Sequence, residues 1–173
     1  MDNKLIEQVN LQINNEIYSS HLYLSMAAWA HAEGWSGFGR WLYLQADEES
    51  KHSLAMFDHL VERDAVPELF TVDAPAKDFK SLEDCFTKVL AHEKKISSLI
   101  NTLATIALES KDHAFYDFIQ NFVREQIEEE ATAKEILTRI KRASGNVVLL
   151  DSLDIELGKR QPSTFSINGG ETL

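Results

Sequence analysis

The segment GFGRWLYLQADEESKHSLAMFDHL, residues 37–60, decides the architecture, because it places acidic and imidazole groups in the middle of an apolar helical face. At about 100° per residue, one face of a helix here carries a single stripe of side chains. The stripe consists of Phe38, Leu42, Ala46, Glu49, Met56 and Leu60. His52 follows Glu49 by three residues and so shares this face. A helix that buries this stripe also buries a carboxyl group.

Three other long segments show the same pattern. Amphipathic spacing predicts helices over residues 3–32, 37–63, 81–109 and 112–142, and a short fifth helix over 146–157. The centre of each apolar face carries glutamate: Glu16, Glu49, Glu93, and Glu125 with Glu129. No Lys or Arg lies in the apolar stripe at these central turns.

The connections between these helices predict the topology. Those after the first and third helices are short, which predicts antiparallel hairpins, whereas residues 64–80 form a long connection that can run back along the bundle. We therefore expect an all-α four-helix bundle with one long crossover loop and a short fifth helix. Residues 1–158 would form the domain and residues 159–173 a loose C-terminal tail.

The predicted turns also set the heights of the glutamates. The mean of positions 16 and 49 is 32.5, inside the first turn, and the mean of 93 and 129 is 111, inside the third. Antiparallel hairpins folded there bring Glu16 level with Glu49, and Glu93 level with Glu129. These carboxyl groups and the His52 imidazole should therefore meet in one layer of the core.

A layer of this composition calls for a metal ion. One buried, unpaired charge costs several kcal/mol, while a domain has only about 5–15 kcal/mol of stability. A multivalent cation offsets this cost for several carboxylates at once. Oxygen ligands with one imidazole suit Fe or Mn, and the absence of cysteine among them argues against a structural zinc site.

Composition excludes several other classes of protein. The net charge of −11, from 28 acidic and 17 basic residues, argues against a nucleic-acid partner. No apolar run of membrane-spanning length is present, so we expect no membrane insertion. The N-terminus shows no secretory signal and Cys85 is the one cysteine, which together predict a cytoplasmic location.

With the motif Glu49-Ser50-Lys51-His52, single glutamates at 16 and 93, and the acidic run 125–130, the sequence resembles the ferritins, specifically the bacterial non-haem ferritins. The resemblance covers roughly residues 1–158 and implies a ferritin-like bundle with a di-iron centre. Ser50 stands where the haem-ligating methionine of bacterioferritins follows the bridging glutamate, which argues against haem.

The resemblance also implies roles for individual residues. Glu16, Glu49 and His52 would hold the first iron ion, with Glu49 bridging to a second held by Glu93 and Glu129. Gln126 would donate a hydrogen bond near the second ion. Glu48, Glu125 and Glu128 would form a weaker third metal site that shares Glu129. Tyr23 would hydrogen-bond at the centre or donate an electron there; equally, it could be a core aromatic with a satisfied hydroxyl group.

The activity implied is that of a ferroxidase and iron store. Fe(II) would be oxidised by O2 or H2O2 and kept as a ferric mineral inside a homo-oligomeric shell of twenty-four subunits. Two alternatives use the same fold. One is a di-iron oxidase or peroxidase that acts on another substrate, and the other is a non-catalytic shell subunit.

Overall fold

The computed structural model describes residues 1–163 and contains five helices in that range. They are α1 (Asn3–Ala32), α2 (Ser36–Glu62), α3 (Leu82–Glu109), α4 (His113–Ala143) and α5 (Val147–Leu157). The predicted all-α architecture is confirmed, and the ends agree with the predicted ones to within one residue. Residues 164–173 of the predicted tail lie outside the described residues.

Most of the helices begin where the sequence supplies an N-cap. A side-chain oxygen accepts a hydrogen bond from a first-turn backbone N–H at Asp2, Ser81, Asp112 and Asn146. By contrast, α2 follows Trp35, which makes no side-chain cap. Its Phe38 N–H instead donates to Oδ1 of Asp154, on α5, at 2.8 Å. The fifth helix therefore supplies the cap that α2 lacks.

Two antiparallel hairpins build the bundle. α1 packs against α2 and α3 packs against α4, while α1 also contacts α3. Gly34 in the first turn has φ +86°, a left-handed conformation that glycine adopts without steric cost. The α4–α5 turn likewise uses Ser144 and Gly145 at φ 47° and 77°. α5 folds back onto α2 and α4.

The long crossover runs along α1. Its Glu68 N–H donates to Oδ1 of Asn10 at 3.0 Å, and its Ala76 carbonyl accepts from Oγ of Ser25 at 2.8 Å. The path from Asn10 to Ser25 covers 15 helical residues, roughly 22 Å of rise. The crossover thus returns the chain to the opposite end of the bundle, where α3 begins parallel to α2.

A polar layer divides the apolar core in two. One cluster joins residues such as Met26, Phe38 and Phe86 at the α5 end. The other joins residues such as Leu5, Met56 and Phe115 at the opposite end. Between the two lie the central turns of the four long helices. None of the helices within residues 1–163 is both long enough and apolar enough to cross a membrane.

Candidate metal centre

The layer between the two apolar clusters holds two groups of metal-ligand side chains. The first group is Glu16, Glu49 and His52, and the second is Glu49, Glu93 and Glu129. Within each group, one ligand atom from every residue lies within 4.8 Å of the others. Glu16, Glu49 and Glu93 are each 1% exposed. The structure therefore brings together the five side chains that helical spacing predicted, and Glu49 belongs to both groups.

The first group is held by polar contacts from α1, α2 and α4. Nε2 of Gln12 donates to Oε1 of Glu16 at 2.7 Å. The two ring nitrogens of His52 face carboxylates: Nδ1 lies 3.4 Å from Oε2 of Glu49, and Nε2 lies 3.2 Å from Oε2 of Glu125. A histidine whose two ring nitrogens both face carboxylates is protonated, or it loses one proton when it binds a metal ion.

The second group is oriented by three donors from three helices. The Tyr23 hydroxyl donates to Oε1 of Glu93. Nε2 of Gln126 donates to the other oxygen, Oε2, at 3.2 Å, and to the Glu93 carbonyl at 3.3 Å. Nε2 of Gln45 donates to Oε1 of Glu129 at 2.9 Å. Tyr23 and Gln126 therefore both position Glu93, as hydrogen-bond donors beside the second group.

Several carboxylate oxygens in this layer are buried without a hydrogen-bond partner among the described residues. They are Oε2 of Glu16, Oε1 of Glu49 and Oε2 of Glu129. Buried polar atoms in native proteins are nearly always paired, so three orphaned acceptors in one layer need an explanation. A metal ion ligated by these oxygens supplies it, and the donor set of carboxylates with one imidazole fits iron.

The ionisation of the layer reflects the same crowding. Burial raises the pKa of Glu49 well above its ordinary value, and the nearby Glu16 carboxylate adds to the shift. Burial likewise raises the pKa of Glu129 well above the ordinary value, with Glu49 contributing. For His52, burial lowers the pKa, but hydrogen bonds to Glu125 and Glu49 outweigh it and leave the pKa well above its ordinary value. The raised pKa values therefore favour protonated side chains in the layer when no metal is bound.

These shifts predict how the stability of the metal-free protein depends on pH. A group with a raised pKa in the folded state contributes stability that is fully present below its unfolded pKa, 4.5 for Glu49 and 6.5 for His52. That contribution is lost as the pH rises through the folded pKa. The melting temperature of chelator-treated protein should therefore fall, relative to a Glu49→Gln variant, as the pH rises above 4.5 toward the raised folded pKa of Glu49. Parallel pH courses for the two proteins would contradict the assignment.

The comparisons with known proteins agree with this geometry. A family model described as a ferritin-like domain matches residues 6–143. The chain belongs to the ferritin family. A bacterial non-heme ferritin of Bacteroides fragilis is 40% identical over 157 residues, covering 91% of this chain and 98% of the relative. One from Campylobacter jejuni is 40% identical over 141 residues, covering 82% of this chain and 84% of the relative.

Solved ferritin structures share the fold. An open-pore ferritin from the archaeon Archaeoglobus fulgidus superimposes with a TM-score of 0.92 at 38% identity. The match covers 93% of this chain and 99% of that protein. The likeness therefore extends over the bundle, the crossover and α5, and is not confined to the ligand motif.

The residues predicted to form a third site in this ferritin are only partly together. Glu48, Glu128 and Glu129 line a cavity of about 360 Å³ beside the second group. Glu125 instead lies against His52, with its side chain 32% exposed. Helical spacing places Glu125 and Glu129 on one face, but the Glu125 side chain reaches toward the first group. The third site itself stays a prediction.

Two kinds of supporting residue were missed by the sequence reasoning. Gln12 and Gln45 each lie four residues before a predicted ligand, Glu16 and Glu49, so the i, i+4 spacing on a buried face was an available signal. Arg160 had no such signal. It lies in the predicted tail, yet its guanidinium reaches the third-site cavity.

Proposed function

We propose that this ferritin binds two Fe(II) ions in the carboxylate layer, oxidises them and stores the product as a ferric mineral. The observation that carries the proposal is the sharing of Glu49 by both ligand groups, together with the orphaned oxygens of Glu16, Glu49 and Glu129. A shared carboxylate suits two ions about 3.5–4 Å apart, the separation found in two-metal sites. Iron is here both substrate and cargo.

The proposed roles follow the contacts. Glu16, Glu49 and His52 hold one Fe(II), and Glu49, Glu93 and Glu129 hold the other. As Fe(II) enters, the protons held by carboxyl groups of raised pKa leave. Each O2 takes up two protons and one electron from each of two Fe(II) ions and becomes H2O2. Each H2O2 likewise takes up two protons and one electron from each of two Fe(II) ions and becomes two water molecules. Tyr23 and Gln126 keep Glu93 oriented, and electron donation by Tyr23 stays a prediction.

An iron titration tests this proposal directly. Without oxygen, Fe(II) followed by calorimetry should fill two tight sites per chain and release protons to the buffer, because the layer is partly protonated beforehand. Admitting O2 should then produce Fe(III) with uptake of oxygen. Binding without proton release, or oxidation no faster than that of Fe(II) in buffer alone, would contradict the proposal.

Assembly and location belong to the same proposal. We infer a homo-oligomeric shell of twenty-four subunits that encloses the mineral, in the cytoplasm. The ferritin fold over residues 6–143 and the exposed apolar side chains of α5, such as Val148 at 75% and Ile155 at 64%, support subunit contacts.

The alternative activities fit the site less well. An oxidase or peroxidase for an organic substrate needs an apolar pocket beside the metals. The cavity next to the second group has apolar residues such as Trp41 and Leu157 in its lining, but it also holds several acids and the Arg160 side chain, which disfavour an apolar substrate. A non-catalytic subunit has no need of complete ligand groups, and both groups are complete here.

A further inference from the structure

Arg160 places a positive charge inside the cavity beside the second ligand group. Its Nη2 donates to Oε2 of Glu48 at 2.5 Å, and its Nη1 donates to Oε1 of Gln45 at 2.6 Å. The guanidinium carbon lies 4.8 Å from the centre of the Trp41 ring, and Nη1 also lies 3.3 Å from the Trp41 carbonyl. The side chain is 23% exposed. Charge-assisted hydrogen bonds and an aromatic ring together form a binding site for a cation, and the guanidinium of Arg160 occupies it.

The backbone after α5 delivers this side chain. The N–H groups of Lys159 and Arg160 donate to the last carbonyls of α5, at 3.0 and 3.1 Å. Nη2 of Arg40 then donates to the Arg160 carbonyl at 3.3 Å, and Nζ of Lys51 donates to the Ser163 carbonyl at 3.2 Å. Residues 159–163, which we name the strap, thus lie along α2 beside the metal centre.

Hydrogen bonds through Gln45 also connect the strap to the second ligand group. Gln45 accepts from Arg160 through Oε1 and donates through Nε2 to Oε1 of Glu129 at 2.9 Å. Glu48 is 14% exposed, so the guanidinium is the charge that compensates a largely buried carboxylate. Glu156, on the same cavity, is instead paired with Arg139, with both nitrogen–oxygen distances 2.6 Å.

We propose that Arg160 is a tethered counter-ion that competes with metal ions for the third carboxylate set, which consists of Glu48, Glu128 and Glu129. A metal ion binds Glu48 and Glu129 from this cavity only when the guanidinium leaves and the strap lifts from α2. Docking of the strap and filling of the third set are therefore mutually exclusive. The inference rests on the predicted third site only in taking Glu48 and Glu129 as cation ligands, and it makes Arg160 a residue that weakens metal binding there.

Terbium(III) tests the competition without any redox step. Trp41 lines the cavity, so a Tb³⁺ ion bound there should luminesce when tryptophan is excited. Arg160→Gln should bind Tb³⁺ at this site about tenfold more tightly than the wild type, because a charge-assisted pair no longer has to be broken. Lys159→Gln is the matched control: it removes one positive charge from the adjacent, exposed residue and should leave the affinity unchanged.

Two further variants make the result specific. Adding Glu48→Gln to Arg160→Gln should abolish the gain, since the freed carboxylate is then absent. Arg160→Lys keeps the charge but loses the fork and should fall between the wild type and Arg160→Gln. Equal affinities in Arg160→Gln and Lys159→Gln, or a gain that survives Glu48→Gln, would overturn the proposal. Matching melting temperatures of the two single variants would show that the fold is intact.

Hydrogen exchange tests the movement of the strap. Saturating the wild type with Tb³⁺ should speed exchange at the Lys159 and Arg160 amides while leaving the interior of α5 unchanged. In Arg160→Gln the same amides should exchange quickly before any metal is added. Unchanged exchange on Tb³⁺ saturation of the wild type would overturn the exclusion between strap and metal. Because Tb³⁺ is not oxidised, failure here is distinguishable from failure of the ferroxidase proposal.

Discussion

Replacing Glu49 by alanine should slow Fe(II) oxidation at least about a hundredfold, since even outer residues of metal sites are worth about 10–100-fold. Glu49 is 1% exposed and is shared by both ligand groups, so in the proposed di-iron centre one substitution removes a ligand from each ion. It also removes the link that holds the two ions at a distance where one oxidant can reach both. The measurement is the initial rate of Fe(III) formation, followed by absorbance together with oxygen uptake.

The controls separate lost chemistry from lost structure. Glu62→Ala makes the same substitution at an exposed position on α2 and should oxidise iron at the wild-type rate. Glu49→Gln keeps the volume of the side chain but removes a charge that burial disfavours, so without metal it should melt at or above the wild-type temperature at neutral pH. Fast oxidation by Glu49→Ala, or a Glu49→Gln protein that melts well below the wild type, would be incompatible with this reading of the layer.

The carboxylate layer could be predicted from sequence because helix geometry is rigid. A rotation of 100° and a rise of 1.5 Å per residue fix both the face and the height of each glutamate once the turns are located. The turns lie at Gly34, which has φ +86°, and at Asp112, which caps the start of α4. Neither step needs a long-range contact. The pairing of Glu16 with Glu49, and of Glu93 with Glu129, can therefore be predicted from the sequence.

The contacts that finish the site could not be predicted in the same way. The guanidinium of Arg160 reaches Glu48 across 112 positions of sequence, from a segment without helical spacing. The side chain of Glu125 lies at a predicted height but its rotamer, which helix geometry leaves free, turns it to His52. Likewise, one hydrogen bond that Asn10 accepts and one that Ser25 donates set the path of the crossover, and single bonds between a side chain and the backbone have no sequence signature.

Replacing Gly37 by alanine should undock α5 and lower the stability of the whole subunit. A methyl group on Gly37 would lie 1.7 Å from the Asp154 carbonyl oxygen and 2.5 Å from its carbon, both backbone atoms of α5. Removing this clash requires α5 to move away from α2, which also breaks the hydrogen bond from the Phe38 N–H to the Asp154 carboxylate. Overpacking of this kind costs about 1–3 kcal/mol and a lost cap about 1 kcal/mol more, while the gain in helix propensity offsets about 1 kcal/mol. The net loss of about 1–3 kcal/mol lowers the melting temperature by roughly 2–12 °C.

Gly39→Ala is the matched control, two residues along the same helix. Its methyl group would meet the His31 ring at 2.7 Å, but this side chain is exposed and can rotate away. Both substitutions gain about 1 kcal/mol of helix propensity, so the difference between them isolates the contact with α5. Gly37→Ala should therefore melt below the wild type and Gly39→Ala at or above it. Equal melting temperatures would mean that α5 is not held at the start of α2, and the strap that follows it would lose its anchor beside the metal centre.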